Sequence, residues 1–280
     1  MDICLSEATT LPTPFLDDVD ACVAGGFPAL EVWLTKLETH VESHAPEDTR
    51  RALAERNIRL PAAAFQGGLL LSQGQERKAH FDDFRRRLEL CQRFGIGTLL
   101  VVADFAPAVD PTSLERAVVS LTQAGQWAGG FGVRIALEFR AANTFCASLD
   151  TAVRLVAACG EPNVGICLDL FHFYTGSSKE ADLELLTPQN LFWVQACDLA
   201  GVPRELATDA HRILPGDGDL PLTFFLGKLR ERGYDGYVSL ELMNPTLWQT
   251  KASQVAELGA SALRRVLPPN RSGPGGPESV

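Results

Sequence analysis

Four apolar runs in this chain end on an oxygen-bearing side chain. RIALEF carries Glu138, VGICLD ends at Asp169, LFWVQACD carries Gln195 and Asp198, and YVSLELM carries Glu241. Runs as oily as Val164–Leu168 belong in strands covered on both faces. A carboxylate at the tip of such a strand is costly to desolvate unless it meets a cation. Taken singly, each of these residues reads equally well as a helix N-cap or a loop ion pair. Four of them, each interrupting an apolar run, point to one shared site. Glu138, Asp169, Gln195 and Glu241 form an all-oxygen donor set. Hard donors of this kind favour Mn²⁺, Mg²⁺ or Co²⁺ over Zn²⁺, whose sites usually include His or Cys.

Other polar residues fall near these ends. His172 follows Asp169 by three residues and can face the same pocket as a substrate-orienting group, or be a satisfied structural histidine. His211 and Arg212 are clustered basic groups in a long polar segment after LFWVQACD. Arg212 suits an anionic or polyhydroxyl substrate, because a guanidinium offers several fixed donors, and a solvated loop arginine is the alternative. Glu7 and Glu31 either line the pocket or close an internal ion pair. His40, His44 and His80 read as structural or exposed.

The elements that must position these groups alternate strictly. Strands are expected at Ile3–Leu5, Ala29–Leu34, Ile58–Phe65, Thr98–Val102, Val133–Phe139, Val164–Leu168, Leu191–Cys197 and Tyr237–Leu240. Helices are expected from Pro14 to Ala24, Thr49 to Glu55, Glu76 to Phe94, Asp110 to Ala128, Leu149 to Ala158, Ala181 to Leu186, Pro221 to Arg232 and Lys251 to Val266. Eight strand–helix units with no dividing linker predict a single-domain α/β fold, a (β/α)8 TIM barrel over residues 1–267. The Pro/Gly/Ser-rich tail, 268–280, is expected to be disordered. In such a barrel the strand C-termini share one face. Glu138, Asp169, Gln195 and Glu241 would then stand on four consecutive strands. A doubly wound sheet is the competing topology, but no GxGxxG follows an early strand. The segment from Asp198 to Asp219 is long and polar, as functional loops often are.

Composition narrows the partners. The 280 residues are 46% hydrophobic and 21% charged, enough for a sizeable core. A formal charge of −10 argues against a nucleic-acid grip. Seven scattered cysteines with no CxxC read as reduced core thiols. Neither a basic, apolar leader nor an 18-residue apolar span is seen, so a cytoplasmic protein is expected. Barrels often self-associate, and a homo-oligomer is admitted although no surface stripe indicates an interface.

SEATT near the start, VRIALEF, VGICLDLFHF, TDAHRILPGDG and YVSLELMNP together resemble the xylose-isomerase-like sugar phosphate isomerase/epimerase barrels. The likeness runs in order from Met1 to about Val266, and within the family it is most similar to the inosose (2-keto-myo-inositol) isomerases of inositol catabolism. The resemblance implies a divalent-metal barrel with two glutamates, Glu138 and Glu241, flanking the substrate carbon. It also implies that Glu138, Asp169 and Glu241 are metal ligands and that His172 and Arg212 are substrate-pocket residues. One departure bears on substrate. The strand-seven ligand is often His in the inosose isomerase pattern, whereas Gln195 stands here, similar to hydroxypyruvate isomerases and some dehydroshikimate dehydratases.

The chemistry such a site suits is proton abstraction next to a carbonyl, with a metal stabilising an enediolate and Glu138 and Glu241 sharing the acid and base roles. A small-molecule keto-sugar or inosose is the expected partner. A 3-dehydroshikimate dehydratase-like lyase and a non-catalytic sugar-binding barrel are the rivals.

Overall fold

A computed structural model describes residues 1–105 and 108–269. Most of the expected tail therefore lies outside the described residues. Eight parallel strands close in sequence order into a barrel: β1 (Asp2–Ser6), β2 (Ala29–Trp33), β3 (Arg59–Gln66), β4 (Thr98–Val102), β5 (Arg134–Glu138), β6 (Val164–Asp169), β7 (Leu191–Ala196) and β8 (Tyr237–Leu240). The helices outside them are α1 (Phe15–Gly25), α2 (Leu34–Ser43), α3 (Pro46–Glu55), α4 (Gly74–Phe94), α5 (Thr112–Gly130), α6 (Leu149–Cys159), α7 (Leu170–Thr175), α8 (Leu222–Glu231) and α9 (Ala252–Val266). The TIM barrel expected from the alternation is the observed fold.

Strand positions facing inward carry small side chains, among them Cys4, Ala29, Ala62, Ala136 and Cys167, packed with Trp193. Those facing outward carry the larger aliphatics that meet the helices, such as Leu99, Leu137 and Val194. The first and last helices close the ring. A Cβ on Gly25 would sit 2.8 Å from the Ala256 backbone, so only glycine lets α1 and α9 approach this closely. All seven cysteines are buried and unpaired. No helix among the described residues is long and apolar enough to cross a membrane.

Three differences from the expected elements matter near the site. Strand two stops at Trp33, and α2 follows at once where no helix was expected. The segment 181–186 forms a 3-10 turn, Glu180–Leu185, rather than an α-helix. Finally, α7 begins directly after Asp169, where no helix was expected. Asp169 Oδ1 accepts from the Phe171 amide at 2.8 Å, which caps this short helix at its first turn.

The long segment after β7 is organised around Asp198. Its backbone forms an antiparallel bridge with Ile213, and its carboxylate accepts from the amides of Leu199, Gly216 and Leu220 at 2.8–2.9 Å. Asp198 therefore braces the loop rather than joining the acids at the mouth. Gly218 packs so tightly on this carboxylate that a side chain there would collide with it. The braced loop delivers the 3-10 turn Asp209–His211, and with it Arg212, to the barrel mouth.

Candidate active site

The ends of β5, β6, β7 and β8 bring Glu138, Asp169, Gln195 and Glu241 to the same end of the barrel. Asp169 and Gln195 lie opposite each other in the ladder. All four side chains are buried, Glu138 and Glu241 at 5% exposure and Asp169 and Gln195 at none. Arg212 enters among them fully buried. Its guanidinium meets Asp169 Oδ2 at 2.7 Å, Asp209 Oδ1 at 2.7 Å and Glu241 Oε2 at 3.1 Å, and lies over the Phe171 ring at 4.3 Å. Asp169 thus plays both structural roles open to it, helix cap through one oxygen and ion pair through the other.

His172, on α7, turns back into the same cluster. Its Nε2 is 3.5 Å from Glu138 Oε1 and 3.6 Å from Asp169 Oδ2. One donor atom from each of these three residues fits within a span of 4.8 Å. Gln195 is held differently. Its Nε2 donates to Glu31 Oε1 at 2.9 Å and to Glu241 Oε1 at 3.0 Å, while its Oε1 accepts from Cys167 Sγ at 3.3 Å.

Two groups expected at the pocket are not brought into the cluster. Glu7 accepts from the Trp33 amide at 2.6 Å and lies 3.5 Å from Lys36, which also pairs with Asp18, so the internal ion pair describes it. His211 is exposed and accepts through Nδ1 from the Thr208 amide at 3.1 Å, capping its own turn. Conversely, two partners were invisible in the sequence. Arg140, just beyond β5, meets Asp209 Oδ2 at 2.8 Å, so Asp209 is clamped between Arg140 and Arg212. Neither residue interrupts an apolar run; a basic residue two positions past a strand-end acid was the one signal available.

Proton affinities diverge within the cluster. Burial pushes Glu138 up to about 8, with Asp169 adding to the rise and Arg140 and Arg212 opposing it. Burial also raises Glu241 well above the carboxylate range, against the pull of Arg212. Burial acts on Asp169 in the same sense, yet Arg212, His172 and the Phe171 amide outweigh it and hold its carboxyl low. His172 is driven down to about 4, chiefly by burial and further by Arg212 and Arg140. Two carboxyls ready to hold protons beside one fixed as an anion is an arrangement suited to proton transfer.

The donor set passes a test for a divalent cation. Four buried carboxylates (Glu31, Glu138, Asp169, Glu241) and half-buried Asp209 face two guanidiniums, buried Arg212 and half-buried Arg140, in the connected network. Buried anions in excess of cations call for further positive charge or for protons.

The sequence profile of the xylose isomerase-like TIM barrel matches residues 19–266. The chain belongs to this family. Within it, the chain is 28% identical over 279 residues to an inosose isomerase of Halalkalibacterium halodurans, covering 95% of this chain and 96% of the relative. It is 26% identical over 270 residues to a 3-dehydroshikimate dehydratase of Pseudomonas putida, covering 94% of this chain and 40% of that longer protein. Among solved structures, the IOLI protein with a bound zinc atom superposes with a TM-score of 0.91 at 24% identity, covering 95% of this chain and 98% of that one.

Proposed function

We propose that this chain is a divalent-metal-dependent isomerase of keto-sugars or ketocyclitols, with an inosose as the favoured substrate class, working by proton transfer through an enediolate. The observation that carries the reading is the charge balance at the mouth: buried carboxylates exceed guanidiniums, and both guanidiniums are already paired with carboxylates. Such a site calls for further positive charge and has no free guanidinium for an anionic substrate, so it favours a neutral polyhydroxy ketone. The whole-length similarity to an inosose isomerase supports the same substrate class.

Glu138, Asp169 and Glu241 would hold the metal, with Gln195 completing the set through its amide oxygen and His172 beside them. Mn²⁺, Mg²⁺ and Co²⁺ suit these oxygens, and the zinc in the IOLI structure keeps Zn²⁺ in the set to be assayed. When bound, the ion supplies Lewis-acid stabilisation of negative charge developing on the substrate oxygens. The residues supply the rest. One of Glu138 and Glu241 takes the proton from the carbinol carbon next to the carbonyl. The other returns a proton to the former carbonyl carbon, while the hydroxyl proton passes to the former carbonyl oxygen. His172 faces the substrate's hydroxyls, and Arg212 holds the carboxylates of Asp169, Asp209 and Glu241 in place. Burial excludes water that would compete for these protons.

Metal uptake gives a first test through protons. Glu138 is protonated near neutrality in the metal-free site because its affinity is raised to about 8. Binding a cation must displace that proton. Calorimetry in buffers of differing ionisation enthalpy is expected to show proton release near pH 7. The share from Glu138 should fade as the pH rises through 8 and be missing in Glu138→Gln.

The dehydratase reading has one observation in its favour, the similarity to the Pseudomonas enzyme along 94% of the chain. Against it, a ring carboxylate would enter a site whose cations are committed. Side-by-side assay with an inosose and 3-dehydroshikimate separates the two readings. A rearranged inosose is expected, and an ultraviolet-absorbing product from dehydroshikimate alone would overturn the isomerase assignment.

A further inference from the structure

Beneath the acids of the mouth lies a carboxylate that the proposed chemistry does not use. Glu31, on β2, is completely buried. Its Oε1 accepts from Ser6 Oγ and Gln195 Nε2, both at 2.9 Å, and its Oε2 accepts from Trp193 Nε1 at 2.5 Å. Ser6 and Glu31 are ladder partners, and Trp193 comes from the strand that also carries Gln195. The carboxylate is therefore fixed from three sides by neutral donors. It also reaches across the barrel from the second strand to the seventh.

A carboxylate can only accept, so the amide face presented to it must be the NH₂. The same nitrogen donates to Glu241 Oε1 at 3.0 Å, so both of its hydrogens have carboxylate partners. The amide oxygen is left with Cys167 Sγ, a weak donor. An unpinned primary amide is nearly symmetric in shape and can present either atom. Here the choice is made by Glu31.

We propose that Glu31 is a positioning residue that locks the Gln195 amide in one orientation, nitrogen toward Glu31 and Glu241, leaving the oxygen as the atom free for a cation. Resting on the metal-centre reading above, it deepens that reading by naming what makes an amide serviceable at this position. A ligating histidine is commonly oriented by a carboxylate on its second nitrogen, and a buried carboxylate one hydrogen bond behind an amide does equivalent work.

The test uses metal-free protein labelled with ¹⁵N at glutamine, with the Gln195 resonance assigned by its loss in Gln195→Met. The Gln195 side-chain protons are expected to exchange with solvent at least tenfold more slowly than those of surface glutamines. In Glu31→Gln, where the new amide can donate as well as accept, this protection should fall about tenfold while the backbone amide spectrum is retained. Mn²⁺ affinity, read by titration, should weaken about tenfold in the same variant. Adding Glu31→Gln to Gln195→Met should then change it less than twofold, because Glu31 acts through Gln195. If Glu31→Gln does not fold, Glu31→Asp withdraws the carboxylate while keeping its charge and should also speed the exchange. Unchanged protection in the variant, or additive losses of Mn²⁺ affinity, would overturn the proposal. Failure of the wild-type chain to bind Mn²⁺ would defeat the metal reading alone, since the exchange experiment needs no metal.

Discussion

Glu241→Gln is expected to lower kcat by about 10² to 10⁴-fold, the range for removing a positioned general acid or base, with KM changed only a few-fold. The amide keeps the size of the carboxyl, and its one oxygen can still accept from either Gln195 or Arg212, which lie 3.0 and 3.1 Å from the two carboxyl oxygens in the native chain. What it cannot do is take up or deliver a proton. The effect should exceed that of most pocket substitutions, because Glu241 combines two roles in the account: metal ligand and proton carrier. Stopped assays with an inosose and saturating Mn²⁺ would measure it. Metal affinity measured alongside distinguishes lost ligation from lost proton transfer. A variant turning over at close to the native rate would remove Glu241 from the chemistry.

The second large effect concerns stability. Arg212→Met should destabilise the metal-free protein by about 3–5 kcal/mol, because it leaves buried carboxylates without their counter-ion. For a chain of this size that corresponds to a fall in Tm on the order of 10 °C. The guanidinium is 1% exposed and neutralises parts of Asp169, Asp209 and Glu241 at once. Methionine fills much of the volume and can still lie on Phe171, so the loss reports charge rather than a cavity. The deficit should depend on pH with a definite sign. Arg212 is among the groups that keep the Asp169 carboxyl low, so it stabilises the native state above the ordinary carboxylate range, and that contribution is lost on acidification through the native value. In the variant the Asp169 affinity rises, the carboxyl protonates at higher pH, and the gap from the native protein narrows as pH falls. Denaturation at mildly alkaline and mildly acid pH would show it. Equal Tm values for the two proteins at alkaline pH would contradict the account.

Much of this site could be read from the chain because its acids break patterns. Glu138, Asp169 and Glu241 each end an apolar strand, and a strand period with a charge at its tip is a local signal. The alternation of strands and helices then placed them on one face. The features that escaped are those made by distant segments meeting. Arg140 and Asp209 lie 69 residues apart and pair only because the loop after β7 folds back over the mouth. The bridge from Glu31 to Trp193 and Gln195 spans more than 160 residues and depends on barrel closure. Helix α2 was missed for a different reason. In LTKLETHVES just Leu34 and Leu37 are buried, so its apolar face is too narrow to announce a helix. Helix α7 has the opposite character. LFHFYT is apolar around most of its circumference, with Leu170, Phe171, His172 and Phe173 all buried, and six residues show no period. Its start is set by the Asp169 cap, and that is what swings His172 back to Glu138.

In the proposed chemistry the barrel mouth moves a proton between neighbouring carbons of a keto-substrate. The most direct measurement is NMR of an inosose incubated with the Mn²⁺-loaded protein in deuterium oxide, with the Glu138→Gln and Glu241→Gln variants alongside. Deuterium is expected to enter the carbon next to the carbonyl as the isomer forms, at a rate cut steeply in both variants. Isomer formed without any solvent deuterium, or deuterium incorporated equally well by the variants, would contradict it.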